Sequence, residues 1–276
     1  MGLGDWKLRS GLLDELCVRN VCEGKLSAVG TYPREPTILW LGHASFRIDW
    51  HGLRILVDPV FSAWIGPFPR LVPAPDVKLL EDVDVALVSH GHMDHLDNRS
   101  LGLCSPKRIV IPRNTERFLS WSLQREVQVS PLELDEEIRV GSLTIRALYA
   151  RHGGWRYPWQ RSFFACSFLI SDGVKNLFVC GDSAYGSHFG EIGKRWKIDT
   201  ALLPVGAYSP QWFLKSRHLN PEEAVQAFFD LGAERMVPCH FGSYRLSWEP
   251  VGEPLKRFAR CAESEHVSWC LPLGIE

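Results

Sequence analysis

No stretch of this sequence approaches the roughly 20 consecutive apolar residues that span a bilayer, so no transmembrane helix is expected and any membrane contact would be peripheral. Neither sign of charge dominates. The 31 basic and 32 acidic residues leave a formal net charge of −1. That balance argues against a general nucleic-acid binder, which carries a clear positive excess. The opening Met1-Gly2-Leu3-Gly4-Asp5-Trp6 lacks the charged and apolar regions of a signal peptide. Trp6 also stands where a myristoylation signal needs Ser or Thr. A cytoplasmic protein is expected. Cys-x-x-Cys pairs are missing although eight cysteines run from Cys17 to Cys270. Cys166, Cys180 and Cys239 fall in apolar strand-like runs, so buried reduced thiols are expected instead of a disulfide framework. Internal repeats and low-complexity linkers are absent as well.

What is present fits a globular chain with a sizeable core: 276 residues, 45% of them hydrophobic, and a mean hydropathy of −0.09. One domain over residues 1–276 is expected, with residues 1–36 as a helical extension in which Leu8, Leu12, Leu13 and Leu16 share a face. From Thr37 strand signals are dense. Thr37 to Trp50 and Leu53 to Val60 read as a hairpin about His51-Gly52, and Phe61 to Pro75, with four prolines, as an irregular loop. Val83 to Ser89 reads as a buried strand and Asn114 to Leu123 as a helix. Asn220-Pro221-Glu222-Glu223 is a strong helix start, with an N-cap, a first-turn proline and first-turn acids. Strands followed by strands mixed with helices, twice over, predict an α/β fold of two packed sheets with helices outside.

The run Ser89-His90-Gly91-His92-Met93-Asp94-His95-Leu96-Asp97 carries the chemistry. It sets three histidines and an aspartate within six positions, directly after the apolar run Val85 to Val88. Imidazole and carboxylate together suit zinc and its first-row neighbours, and they seldom gather for packing. Four residues cannot fill two metal shells. Further ligands are expected where other strands end. His152, ahead of Gly153-Gly154 whose small size would let backbone approach an ion, Asp182 after Leu177 to Gly181, and His240 after Met236 to Cys239 meet that condition.

With those residues in order, the chain resembles the metallo-β-lactamase superfamily from about Thr37 to about Phe258. A narrower likeness, to N-acylphosphatidylethanolamine-hydrolysing phospholipases D, rests on Trp40-Leu41-Gly42-His43-Ala44-Ser45, Leu56-Val57-Asp58-Pro59-Val60-Phe61, Gly181-Asp182-Ser183-Ala184-Tyr185 and Pro204-Val205-Gly206-Ala207-Tyr208-Ser209-Pro210-Gln211-Trp212-Phe213. The segments from His218 to Ala224 and from Pro238 to Gly242 complete it. The resemblance implies a four-layer αβ/βα sandwich, two mixed β-sheets with helices on the outer faces. It also implies a dinuclear centre at the edge between the sheets. His90, His92 and His152 would hold one metal, Asp94, His95 and His240 the other, and Asp182 would bridge them. Two Zn2+ are expected, with Mn2+ or Fe2+ as substitutes.

The function implied is a zinc-dependent phosphodiesterase of phospholipase D type, acting on N-acylphosphatidylethanolamine-like glycerophospholipids. Its catalytic residues would be Asp94, Asp182 and His218, the last as a protonated donor to the phosphate or the leaving alkoxide. Asp58 and His43 are expected to support ligands from behind. Trp64, Trp212, Arg217 and His218 are expected to bind substrate, within an aromatic groove that also draws on Phe68, Trp155, Tyr157, Trp159 and Phe213. Arg151, Arg156 and Lys215 are further candidates for an anionic head group. The competing readings are a sugar-phosphate lactonase of the ascorbate-6-phosphate type and a non-catalytic metal-binding scaffold. A homodimer is compatible with the sequence.

Overall fold

The computed structural model describes residues 35–154, 156–157 and 164–271. The expected N-terminal helix, Trp155 and Trp159 lie outside them. The first sheet has six strands in the order β1 (Thr37–Gly42), β2 (Ser45–Trp50), β3 (Leu53–Val57), β6 (Val85–Leu87), β7 (Arg108–Pro112) and β8 (Gln128–Leu132). β4 (Trp64–Ile65) and β5 (Phe68–Pro69) form a small separate hairpin. The second sheet also has six strands, ordered β14 (Arg235–Cys239), β13 (Thr200–Pro204), β12 (Asn176–Val179), β11 (Phe164–Ser171), β10 (Leu143–Gly153) and β9 (Glu137–Val140). Both sheets begin with antiparallel meanders, β1-β2-β3 and β9-β10-β11-β12, and continue in parallel strands. This is the twofold succession expected from the sequence.

Alternation of side chains along each strand explains the layers. Val85, Leu87 and Val110 enter the core shared by the two sheets, beside Phe46, Ile145 and Phe168. Their neighbours Ala86, Val88, Ile109 and Ile111 point the other way. There they pack with Leu96, Leu101, Leu119 and Leu123, beneath helices α1 (Asn98–Cys104) and α2 (Trp121–Glu126). Helices α3 (His188–Arg195), α4 (Gln211–Leu214), α5 (Pro221–Asp230) and α6 (Glu253–Ser264) follow β12, β13 and β14. α5 starts as its sequence predicts: Asn220 and Glu223 form a reciprocal capping box, with Pro221 in the first turn.

Several boundaries differ from the sequence reading. Thr37 to Trp50 is two strands, because the chain reverses at His43 and Ala44. Asn114 to Leu123 splits into a 3-10 turn at Thr115–Phe118 and α2, whose true N-cap is Ser120. The proline-rich loop carries the β4-β5 hairpin, where Pro69 sits on a short edge strand that tolerates a missing N–H. Cys104, Cys166, Cys180, Cys239 and Cys261 are free thiols, as expected. Cys270 is disulfide-bonded, a pairing that spacing alone does not reveal.

Candidate metal centre

The site residues sit just past strand ends. β3 delivers Asp58, β6 delivers Ser89 and the His90 to His95 run, β12 leads to Asp182, β14 leads directly to His240, and His152 is the last residue but one of β10. Backbone strain gathers here. His43, Asp58, Ala207 and His240 all have positive φ, at 55°, 39°, 62° and 60°, a region costly for residues with a Cβ and most often met at functional sites. Two glycines are required by contact. A Cβ on Gly181 (φ +62°) would lie 2.8 Å from the Ser89 Cβ, and one on Gly206 would lie 2.2 Å from the His240 carbonyl oxygen. Gly154 serves the sheet, since a Cβ there would strike the Phe164 carbonyl at 2.1 Å.

All seven expected ligands converge. His90, His92, His152 and Asp182 present ligand atoms mutually within 4.8 Å, and so do His43, Asp94, His95 and His240. Asp182 contacts both groups. Its Oδ2 lies 3.8 Å from the Nε2 atoms of His90 and His152 and 3.2 Å from that of His95, and its Oδ1 lies 3.2 Å from His240 Nε2.

Hydrogen bonds behind the site fix the ring tautomers. Ser89 donates its hydroxyl to Asp58 Oδ2 at 2.7 Å, so it accepts from His90 Nδ1 at 2.9 Å. His95 Nδ1 donates to Asp58 at 2.8 Å, and His152 Nδ1 donates to the Arg217 carbonyl at 2.7 Å. The Nε2 atoms of His90, His95 and His152 therefore face inward, toward carboxylates and one another. His92 Nδ1 completes one set at 3.0 Å from His90 Nε2 and 3.1 Å from His152 Nε2. Tetrahedral ligands on a zinc with bonds of about 2.0–2.1 Å stand about 3.3 Å apart, close to these spacings.

Electrostatics point the same way. Asp58 and Asp182 are 0% and 1% exposed, and the ion pairs of Asp58, Asp94 and Asp182 among the described residues are all with histidines. Burial alone would raise Asp94 and Asp182, yet the surrounding imidazoles hold both well below the usual carboxylate range. These carboxylates in turn hold His95 well above the usual imidazole range and raise His240, against the burial of both rings. Burial first, then neighbouring imidazoles, pushes His90 well down and His92 to about 4. Both Asp182 oxygens and His240 Nε2 are buried without a hydrogen-bond partner among the described residues. Ionised carboxylates and inward lone pairs at such depth call for cations. The cluster is a metal-binding one.

The remaining expected residues divide. His218 is not a solvent-exposed loop histidine. Its Nδ1 lies 3.7 Å from Asp182 Oδ2, with 11% of the side chain accessible. Burial pushes its pKa down to about 3, so at neutral pH it is a neutral imidazole and not the protonated donor expected. Arg217 contributes its carbonyl, while its guanidinium lies 4.2 Å from the Phe213 ring centre. Arg156 is tied to the Leu96 carbonyl and the Phe118 ring, and Arg151 to the Tyr185 carbonyl. Trp64 and Trp212 are 62% and 82% exposed.

Sequence reasoning missed Ser89, although it immediately precedes the histidine run. It also missed Glu249, whose buried carboxylate accepts from the backbone N–H groups of Ala207, Tyr208 and Ser209. Glu249 thereby clamps the segment that brings Gly206 against His240. No local sequence signal marks it.

The family model for the beta-lactamase superfamily domain matches residues 53–241, which hold all seven ligands. The chain belongs to the metallo-β-lactamase superfamily. Within that superfamily it is 33% identical over 250 residues to an uncharacterized protein of Mycobacterium tuberculosis, covering 86% of this chain and 66% of that one. It is 30% identical to N-acyl-phosphatidylethanolamine-hydrolyzing phospholipase D 1 of Caenorhabditis elegans, covering 75% and 64%. The mitochondrial enzyme of the same name from Saccharomyces cerevisiae is 32% identical, covering 81% and 51%. The chain thus spans two thirds or less of these relatives' lengths. Among solved structures, the metallo hydrolase Igni18 of Ignicoccus hospitalis shares the superfamily fold at a TM-score of 0.65 and 17% identity, over 87% of this chain and 96% of that one. No helix among the described residues is long and apolar enough to cross a membrane.

Asp58 anchors both Ser89 and His95, so Asp58→Ala is expected to weaken metal binding by roughly 10–100-fold, the usual scale for losing such a partner. Chelator competition on the purified variant checks this. Unchanged affinity would show that His95 needs no support from behind.

Proposed function

We propose that this chain is a dinuclear zinc phosphodiesterase of phospholipase D type, hydrolysing N-acylphosphatidylethanolamine-like glycerophospholipids. The observation that carries the reading is Asp182, a buried carboxylate shared by two ligand groups of the size and donor type that zinc takes. The nematode and yeast relatives supply the substrate class. When bound, two such ions lower the pKa of a shared water and neutralise charge building on a phosphoryl group.

The chain's own residues do the rest. Asp94 and Asp182, ionised at rest, orient the water, and either takes its proton as the new P–O bond forms and returns it to the alkoxide that leaves. His218, neutral and held beside Asp182, donates a hydrogen bond to a phosphate oxygen. Trp64 and Trp212, together with Phe68 (39% exposed) and Phe213 (49%), are apolar surface available for acyl chains. Lys215 and Arg217 are the cations nearest in sequence to His218 for the head group. A cytoplasmic, membrane-peripheral location belongs to this proposal. The five free thiols support it and the bonded Cys270 weighs against it.

The test is hydrolysis of a panel: N-acylphosphatidylethanolamine, other phospholipids, a simple aryl phosphodiester and a sugar-phosphate lactone. Preferred turnover of the lipid diester supports the proposal, and preferred opening of the lactone replaces it. Full metal loading with no turnover on any of them leaves a metal-binding scaffold. His218→Ala is expected to keep both metals and slow diester cleavage by roughly a hundredfold. Loss of a metal in that variant would make His218 a ligand, and a wild-type rate would remove it from the site.

A further inference from the structure

Among the described residues one carboxylate besides Asp58 and Asp182 is buried. Glu249 is 7% exposed, and no cation among those residues pairs with it. Four donors hold it instead. Its Oε1 accepts from Ala207 N–H at 2.7 Å, Tyr208 N–H at 3.3 Å and the Ser247 hydroxyl at 2.6 Å. Its Oε2 accepts from Ser209 N–H at 2.9 Å. Successive backbone N–H groups turned to one side form an anion-binding concavity. Here the anion is the chain's own. The concavity also needs its occupant, because Ala207 sits at φ 62°, a conformation that persists only where the surroundings enforce it.

The clamped segment leads to His218 without a break. Leu214 N–H donates to the Pro210 carbonyl at 3.0 Å, and His218 N–H to the Leu214 carbonyl at 2.9 Å. Lys215 N–H on the Gln211 carbonyl, at 3.0 Å, and Arg217 N–H on the Leu214 carbonyl, at 2.8 Å, stiffen the same span. At its far end the Arg217 carbonyl holds His152, and His218 Nδ1 stands 3.7 Å from Asp182. At its near end Gly206 packs on the His240 carbonyl. Residues 206–218 therefore touch both ligand groups. Glu249 fastens their start, and buried Leu219 fastens their end.

We infer that Glu249 is a positioning residue: its carboxylate fills the concavity of Ala207, Tyr208 and Ser209 and thereby fixes the His218 ring beside Asp182. Charge sets the position more than bulk, since every polar group that the carboxylate meets is a donor. In Glu249→Ala the heavy atoms lost are those of an acetate ion, and they are lost beside a pocket that Glu249 lines and that opens to solvent. Acetate in solution then takes the place of the missing carboxylate. This inference rests on the reading of His218 as the donor to substrate.

The experiment uses the full chain, with and without zinc. In the metal-stripped protein, amide hydrogen exchange at Ala207 to Ser209, Leu214 and His218 should be faster in Glu249→Ala than in wild type, and acetate should slow it again. A role confined to local packing would leave His218 unmoved. In the zinc-loaded protein, kcat on the best substrate of the panel should fall by roughly 10–100-fold, since displacing a catalytic group by about 1 Å costs about a hundredfold. Acetate should restore the rate, and acetamide, of the same shape but uncharged, should not. In the His218→Ala background Glu249→Ala should cost nothing more, because both act through one contact. Glu249→Gln keeps the volume and stands in where Glu249→Ala does not fold. Its single oxygen cannot serve all four donors, so exchange at His218 should rise and kcat should fall there too. Wild-type exchange at His218 in both variants, no response to acetate, equal restoration by acetamide, or a full further loss in the double variant would each overturn the inference. A wild-type rate in His218→Ala alone would instead overturn the reading of His218 as the donor.

Discussion

Replacing Asp182 by alanine is expected to strip at least one metal from the protein and to lower hydrolysis by about a thousandfold or more, the upper end of the scale for losing one electrostatic element of a catalytic site. The reason is geometric. Among the described residues Asp182 is the one carboxylate with an oxygen near imidazoles of both groups, 3.2 Å from His240 and His95 and 3.8 Å from His90 and His152. Its removal weakens both shells at once. It also leaves His90, His92 and His152 without the carboxylate of their group. Metal content by plasma mass spectrometry, measured with the rate, checks this. Two metals retained at wild-type rate would remove Asp182 from the centre.

The second large effect concerns the substrate. If acyl chains lie against Trp64 and Trp212, each methylene taken out of water contributes about 0.8 kcal/mol, or about fourfold in kcat/KM. Across a series of lengthening N-acyl chains, kcat/KM should climb steeply until the groove is filled. Four added methylenes would then raise it about 200-fold. Trp64→Ala and Trp212→Ala should flatten the climb while leaving small soluble diesters unaffected, because both side chains are exposed and their loss removes no core packing. A flat series in the wild type would rule out the lipid and favour a soluble phosphodiester or a lactone.

The ligands were legible in the sequence because each stands beside an unambiguous apolar strand: His90 after Val85 to Val88, Asp182 after Leu177 to Val179, His240 after Met236 to Cys239. The capped start of α5 was legible for an equally local reason. What escaped notice depends on distant contacts. The reversal at His43 lies inside a strand-like run, and its one local mark is Gly42, whose φ of +103° directly precedes it. The outward partners of the histidines come from elsewhere in the chain, Asp58 for His95 and the Arg217 carbonyl for His152, and only the first is a side chain that sequence can suggest. Glu249 clamps a segment about 40 residues away. His218 reads as a loop residue ahead of a helix, and only the packing of that loop over β10 and β14 buries it and keeps it neutral.

The proposed chemistry depends on a dinuclear centre whose two ligand groups meet at Asp182. Titrating the metal-stripped protein with zinc, and following bound metal and phosphodiester hydrolysis together, tests it most directly. Two zinc ions per chain are expected, with hydrolysis appearing as the second site fills. Full hydrolysis with one zinc ion or none, or saturation at a single ion, would contradict it.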